Sequence, residues 1–454
     1  MHFKIQLMKT NSLNGIKSCR KGNLILRNLN SKIINTAARA SGFLVRKGGK
    51  ISPKNLIIGF MIMASKGQNT YSFLAYEIGI LANKSLTKQA VEERMNPKTE
   101  KFLLQVLEDH LKAKITTKMT FEIKGLLKHF KNIKIDDSTV LALPAKLVEQ
   151  FPGNVSKGVR NAQAKIHAFY NLTKDAFEFF HLHSYSENDQ SLSAKVLPYL
   201  QKGDLLIRDL GFTILSVVKK LMDMEVYFIS RKNYNIKVFD TTSGKEIDLV
   251  KELKKNGFID QEVVAGSECK LKVWLIAISL PEAQANERRR KARKDRDKRL
   301  NHSPEYDYLL GYVIFITNIE PIKCNAEQIA QLYRLRWRIE IIFKSWKSCF
   351  SMQTLIHFQC TNAIRVRCII YLILLYIYLF HVVWGNCILI KTKSKDNETQ
   401  LSILKMANFF NTQFVSLIRL KSDKIIIQQL LKNGSYDIRR DRTNAIEFIN
   451  KFAA

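Results

Sequence analysis

The sequence predicts an α/β fold with helical regions at both ends, and three observations carry that expectation. Up to about residue 130 the apolar spacing is helical, with cap signals such as Ser52 before Pro53 in SPKNLIIGFMIMAS. From about residue 131 the period shortens to that of strands, in KNIKIDDSTV, GVRNAQAKIHAFYNL and DAFEFFHLHSY. Strand and helix patterns then alternate through LLIR, TILSVVKKLMDM and VYFISR, as a mixed sheet with helices laid against it requires.

A chain of 454 residues has room for several domains and a sizeable core. Its 73 Lys and Arg against 40 Asp and Glu leave a net charge of +33. Such a surplus favours a polyanion as partner; an anionic membrane surface and plain compositional bias are the alternatives. Cysteine occurs seven times, with no CxxC pair and no Cys/His ligand spacing. Neither a disulfide framework nor a zinc site follows, and a reducing cytoplasm fits. MHFKIQLMKTNSLNG has no sustained apolar run, so no secretory signal is expected. The run from Cys368 to Phe380, extending to Trp384, is shorter than the roughly 20 residues of a bilayer span, which favours a buried core helix over a membrane span.

Residues 1 to about 35 are basic, weakly periodic and expected to be partly disordered. From Ile34 to about Lys114 the pattern is helical. TYSFLAYEIGILANKSLTKQAVEERM reads as helix, Gly/Asn break, helix, either a helix-turn-helix or part of a small bundle. LSAKVLPYL reads as helical, and GDLLIRDLGF as a buried strand, Leu205–Ile207, stopped by Arg208, Asp209 and a glycine. From about 235 to 318 the sequence reads as strand-rich: IKVFDTTSG, EIDLVKEL, QEVVAG, CKLKVWLIAISL, YLLGYVIFITNI. Within it, Asn286 to Leu300 is a densely basic helix suited to phosphate-backbone contact or to plain solvation. Arg231, closing VYFISR, is a further candidate for DNA contact. His181 and His183 share one face of a strand; no third ligand is placed by the sequence, so they read as structural. LSILKMANFFNTQFVSLI and KIIIQQLLKN are helical and serve core packing or self-association. No phosphate-binding loop, GxGxxG or nucleophile elbow occurs.

The chemistry concentrates in YRLRWRIEIIFKSWK, Tyr333 to Lys347, which reads as one helix uninterrupted by Gly or Pro. At roughly 100° per residue, Tyr333, Arg336, Glu340, Lys344 and Lys347 share a sector of about 80°, while Leu335, Ile339, Ile342 and Trp346 form an apolar face. One carboxylate among cations suits a metal ion held against a phosphodiester. A solvated charged face with local ion pairs is the bland alternative.

Tyr333, Arg336, Glu340 and Lys347, spaced Y-x2-R-x3-E-x6-K, resemble the YREK signature of the DDE transposases of bacterial insertion sequences, of the insertion sequence family four type. The resemblance implies an RNase H-like mixed-sheet catalytic core with a β-rich insertion. It also implies two aspartates upstream of Glu340. Asp137, followed by Ser138 and Thr139, resembles the first; it is preferred to Asp136, which points to the opposite face of the strand. Asp209, in LLIRDLGF, resembles the second. On this resemblance Asp137, Asp209 and Glu340 hold two Mg²⁺ (or Mn²⁺) ions. Arg336, Lys347 and Lys344 hold phosphates, Tyr333 contacts the backbone or a displaced base, and Tyr312 stands where the family places an aromatic against a flipped base, the alternative being a strand tyrosine packed against the insertion. The expected domains are an N-terminal helical DNA-binding domain at 1–130, core segments at 131–234 and 319–390, the insertion at 235–318 and a C-terminal helical region at 391–454. The implied activity is DNA cleavage and strand transfer at insertion-sequence ends. The implied partner is double-stranded DNA, as terminal inverted repeats and target, bound by a homodimer in the bacterial cytoplasm at the nucleoid, with no membrane. A metal-dependent nuclease or an inactive DNA-binding relic is the alternative.

Overall fold

The computed structural model of the chain describes residues 23–46, 49–116, 125–156, 158–294, 303–357, 362–393 and 399–437. Helices α1 (Leu24–Arg27), α2 (Ser31–Ala40), α3 (Pro53–Ser65), α4 (Tyr71–Ala82), α5 (Lys88–Arg94) and α6 (Pro97–Thr116) come first. Strands β1 (Ile133–Leu143), β2 (Pro152–Ser156), β3 (Val159–Asn171) and β4 (Ala176–Ser184) follow. Then come α7 (Asp189–Leu192), β5 (Leu205–Arg208), α8 (Leu215–Asp223), β6 (Tyr227–Arg231), β7 (Val238–Asp240), α9 (Leu249–Asn256), β8 (Ile259–Ala265) and β9 (Leu271–Ser279). The chain continues through α10 (Glu282–Lys294), α11 (Pro304–Leu309), β10 (Tyr312–Thr317), α12 (Ala326–Arg334), α13 (Trp337–Ser348), α14 (Met352–His357) and α15 (Ala363–Lys393). It forms two compact units: residues 1–119, 141–163 and 340–442, and residues 120–140, 164–339 and 443–454.

The first unit is helical. Asn83 ends α4 in the left-handed conformation (φ 50°), and the chain turns back so tightly that a Cβ on Gly79 would stand 2.7 Å from the Lys84 carbonyl. The Gly/Asn break between α4 and α5 is therefore a geometric requirement. At the N-terminus, residues 1–22 lie outside the described region. From Leu24 the basic stretch is helical, with Asn23 capping α1 and Asn30 capping α2; the rest of the segment expected to be partly disordered lies outside the described residues. The apolar run expected to be too short for a bilayer sits within α15, whose Ala363–Lys391 is long and apolar enough to cross one. Burial decides how it is used, since 94% of its most apolar window lies inside the protein. Arg365 pairs with Glu92 (2.6 Å) and Arg367 with Glu100 (2.8 Å), tying its start to α5 and α6.

The second unit is built on a mixed sheet in the order β4-β3-β1-β5-β6-β10-β9-β8-β7. β1, β5 and β6 run parallel, β3 and β4 form an antiparallel hairpin, and the pairs from β6 through β10, β9 and β8 to β7 are antiparallel. A hairpin pair beside three parallel strands is the RNase H-like arrangement that the resemblance implied. The inserted strands extend that same sheet past β6. EIDLVKEL, expected as a strand, gives α9 instead: Asp248 caps it by accepting from Lys251 N–H (3.0 Å), and Leu253 alone is buried. LSAKVLPYL gives a 3-10 turn, Ser193–Tyr199, with Pro198 inside it.

Charges lie inside the sheet. Lys134 Nζ stands 3.1 Å from both Glu178 and Asp204. Asp136, with no exposure, accepts from His167 Nε2 (2.5 Å) and stands 3.1 Å from Arg208, itself bound to Ser193 Oγ (2.8 Å). Removing one partner of a buried pair strands the other charge. Arg208→Met is therefore expected to lower stability by about 3–5 kcal/mol, read from the urea unfolding midpoint; a loss within scatter would show that Asp136 does not depend on it.

Candidate active site

β1 and β5 pair in register, Asp136 with Arg208, so the residues that follow, Asp137 within β1 and Asp209 just past β5, stand at one level. Side chains alternate along a strand. Asp136 and Arg208 therefore fill one face while Asp137 and Asp209 point to the other. In the D-x-G-aromatic run after β5, Gly211 packs closely on Asp189, where a Cβ would stand 3.0 Å from Oδ2. Asp189 in turn accepts from Ser138 Oγ (3.1 Å) and Lys165 (2.9 Å), which ties it to β1 beside Asp137.

Both aspartates are met by the segment that carries the signature. Arg336 Nη1 donates to Asp137 Oδ2 (3.0 Å), Ser138 N–H donates to Asp137 Oδ1 (2.8 Å), and the Tyr333 hydroxyl donates to Asp209 Oδ1 (3.1 Å). Tyr333 packs its ring against Phe315 at 4.9 Å, and the Arg336 guanidinium lies 5.8 Å from the same ring. The segment is two helices, not the single helix expected. α12 ends at Arg334 and α13 starts at Trp337. Across the join, N–H groups of Leu335, Arg336, Arg338 and Ile339 bond the carbonyl three residues back instead of four. The turn is tightened by 3-10 bonding, without Gly or Pro.

Glu340 lies in the first turn of α13, half-buried, and opens the last segment of the first unit, as Lys344 and Lys347, both exposed, continue it. The structure thus brings Asp137, Asp209, Tyr333 and Arg336 together in the second unit. Glu340, Lys344 and Lys347 belong to the first.

Arg231 and Tyr312, distant in sequence, line one pocket of about 100 Å³ directly after Asp209, together with Lys232, Arg288, Tyr234 and Tyr306. Arg288 Nη1 donates to the Tyr312 carbonyl (3.1 Å). Arg288 comes from the basic stretch Asn286–Leu300, whose neighbours behave otherwise: Arg289 bonds the Asp307 carbonyl and Arg290 pairs with Glu287 (2.7 Å). Residues 295–300 of that stretch lie outside the described residues. Burial pulls the Lys232 ammonium down to about 8, and the Tyr308 hydroxyl helps push the Tyr312 phenol up to about 12.

A third histidine, unseen in the sequence, joins His181 and His183. His167 on β3 is the cross-strand partner of His181, and ligand atoms of all three lie within 4.8 Å of one another. Its signal was a lone His in an alternating strand, legible only once β3 and β4 are known to pair.

Residues 128–379, more than half of the chain, match the family model described as the transposase DDE domain. That match, on a mixed sheet flanked by helices, defines a DDE-type phosphoryl-transfer enzyme. The chain belongs to the transposase DDE domain family, and is an insertion-sequence transposase catalysing DNA cleavage and strand transfer. It is 30% identical over 314 residues to the transposase for insertion sequence element IS231F of Bacillus thuringiensis subsp. israelensis, a match covering 65% of each chain. It is 26% identical over 457 residues, 94% of each, to that for IS231B of Bacillus thuringiensis subsp. berliner. Among solved structures, the piggyBac transposase synaptic complex with hairpin DNA overlaps 93% of this chain and 87% of that one at a TM-score of 0.43 and 8% identity, too loosely to bear on the site.

Burial raises the Asp137 carboxyl to about 7, against the pull of Arg336 and the Ser138 N–H and with a push from Asp209 and Asp136. A carboxyl raised in the folded state binds protons that the unfolded chain has released, so folding is favoured at low pH and loses that advantage as pH rises through about 7. Without divalent ions, the stability of the protein is expected to fall between pH 4 and 7 by more than in Asp137→Asn. Equal pH profiles in chemical unfolding would remove Asp137 as the source.

Proposed function

We propose that Asp137, Asp209 and Glu340 hold the divalent ions of a DNA strand-cleavage and strand-transfer site, two Mg²⁺ (or Mn²⁺) ions, acting on the terminal inverted repeats of an insertion sequence and on target DNA. The observation carrying this reading is the alignment of Asp137 and Asp209 at one level of two parallel strands, with donors from the signature segment on both. The donor set fits the ions: hard carboxylate oxygens suit hard cations, and a carboxyl raised by burial and by a neighbouring carboxylate is one that a cation restores to its charged form. Bound there, the ions would polarise the phosphodiester and activate the attacking hydroxyl.

The chain's own groups do the rest. Arg336 and Tyr333 orient the two aspartates, and on DNA their donors turn to the phosphates flanking the cut. Lys347 and Lys344 hold the same backbone from further along α13, adding affinity without sequence preference. The pocket of Arg231, Arg288 and Tyr312 takes a displaced nucleotide, its phosphate on the guanidiniums and its base against the tyrosine. The α4–α5 pair reads the element's ends, and a homodimer on DNA pairs them in the bacterial cytoplasm at the nucleoid. No covalent protein–DNA intermediate is expected, the attack coming from water and then from a DNA 3′-hydroxyl.

Cleavage of DNA carrying the cognate ends, with Mg²⁺, tests the assignment. Glu340→Ala is expected to cut at least about 100-fold more slowly, roughly 2.7 kcal/mol of barrier; cutting at the wild-type rate would remove Glu340 from the site. For Lys347→Ala the loss should fall on end binding, with the log–log salt slope reduced by about 0.9. A weakened Mg²⁺ titration at unchanged DNA affinity would overturn its role.

A further inference from the structure

We propose a second metal site, on the opposite face of the sheet from the carboxylates, formed by His167, His181 and His183 and suited to one divalent transition ion of the zinc class. The backbone sets it up. His167 and His181 are register partners on β3 and β4, and His183 lies two residues along β4, so all three rings stand on one sheet face. Their centroids form a near-equilateral triangle, 6.5, 6.5 and 6.0 Å on a side. Donor atoms within 4.8 Å of one another need to close to about 3.3 Å to share an ion at about 2.05 Å, a change of side-chain torsions and not of backbone.

The outer hydrogen bonds already sort the nitrogens. His167 gives Nε2 to Asp136 (2.5 Å), and its Nδ1, fully buried, has no hydrogen-bond partner. Glu187 lies 3.1 Å from His183 Nδ1, leaving Nε2 for an ion. A carboxylate behind a ligand imidazole fixes its tautomer and raises its basicity. His181 is the plain third donor, stacked on Phe179 at 4.3 Å. Three imidazoles select borderline transition ions, as carboxylates select Mg²⁺. The fourth position is left to water, since Glu187 is engaged on His183 Nδ1. One group opposes the ion: Lys195 Nζ lies 3.4 Å from both His183 nitrogens, on a side chain exposed enough to swing away.

The test uses the full chain, stripped of metal and titrated with Co²⁺ under excess Mg²⁺. One equivalent is expected to bind with the visible absorption of a tetrahedral nitrogen site, to be displaced by Zn²⁺, and to persist in Asp137→Ala. Affinity should fall about 100-fold or more in His181→Ala and in His183→Gln, both partly exposed positions, at unchanged circular dichroism, and should rise in Lys195→Ala. No stoichiometric Co²⁺ binding by the wild type would overturn the site, as would undiminished binding in the folded His181→Ala and His183→Gln variants. Loss in Asp137→Ala would place the ion at the carboxylates instead. None of these outcomes depends on cleavage activity.

Discussion

A single buried carboxylate sets the geometry of the second unit. Asp136 is inaccessible to water, and an unpaired charge there would cost several kcal/mol. It is compensated from both neighbours, by His167 on β3 and Arg208 on β5, so the strands on either side are committed to one register. Because successive side chains oppose each other, that commitment also decides where Asp137 and Asp209 go. A slip by one residue would turn both aspartates into the sheet's packed side and Asp136 out of it. Placement of the paired acids is thus a consequence of an ion pair that touches no substrate.

The outward face has a different electrostatic character. Burial acts on Asp137 more strongly than the Arg336 cation does, which is why its carboxyl is raised although a guanidinium sits 3.0 Å away. Negative charge at that edge is under-compensated, and Asp209 adds to the excess. The surrounding chain is the reverse, with a surplus of 33 positive charges. A polyanion drawn by the long-range field arrives at a spot that locally favours cations, a combination that binds phosphates through a positive ion between them.

Much of this was legible in the sequence where it rested on local rules. Alternation puts Asp136 and Asp137 on opposite faces, the motif match with Ser138 and Thr139 selects Asp137, and the fixed offsets from Tyr333 to Lys347 mark the segment that reaches the two aspartates. The break at Leu335–Arg336 was not legible, because no residue there disfavours α-helix; it arises from tightened bonds that only the three-dimensional setting selects. α9 was misread because its alternating acids and aliphatics satisfy a strand pattern, whereas the Asp248 cap decides for a helix. Arg288 could not be told from Arg289 and Arg290 by composition, although only Arg288 reaches the pocket beside Asp209. Long-range pairing is the common missing information.

Asp136 also links the two faces of β1. Through His167 it fixes the tautomer of a ring in the histidine triad; one residue later the same strand presents Asp137 to the carboxylate pair. The donor sets differ in kind, nitrogen on one side and oxygen on the other, and metal ions sort by that difference more than by charge. An ion of the zinc class gains more from three imidazoles than from exposed carboxylates, whereas Mg²⁺ gains little from nitrogen. The triad would therefore keep a tightly binding transition ion away from the carboxylate edge while bracing β3 against β4. The hydrogen bond from His167 Nε2 to Asp136 joins the triad to the strand that carries Asp137.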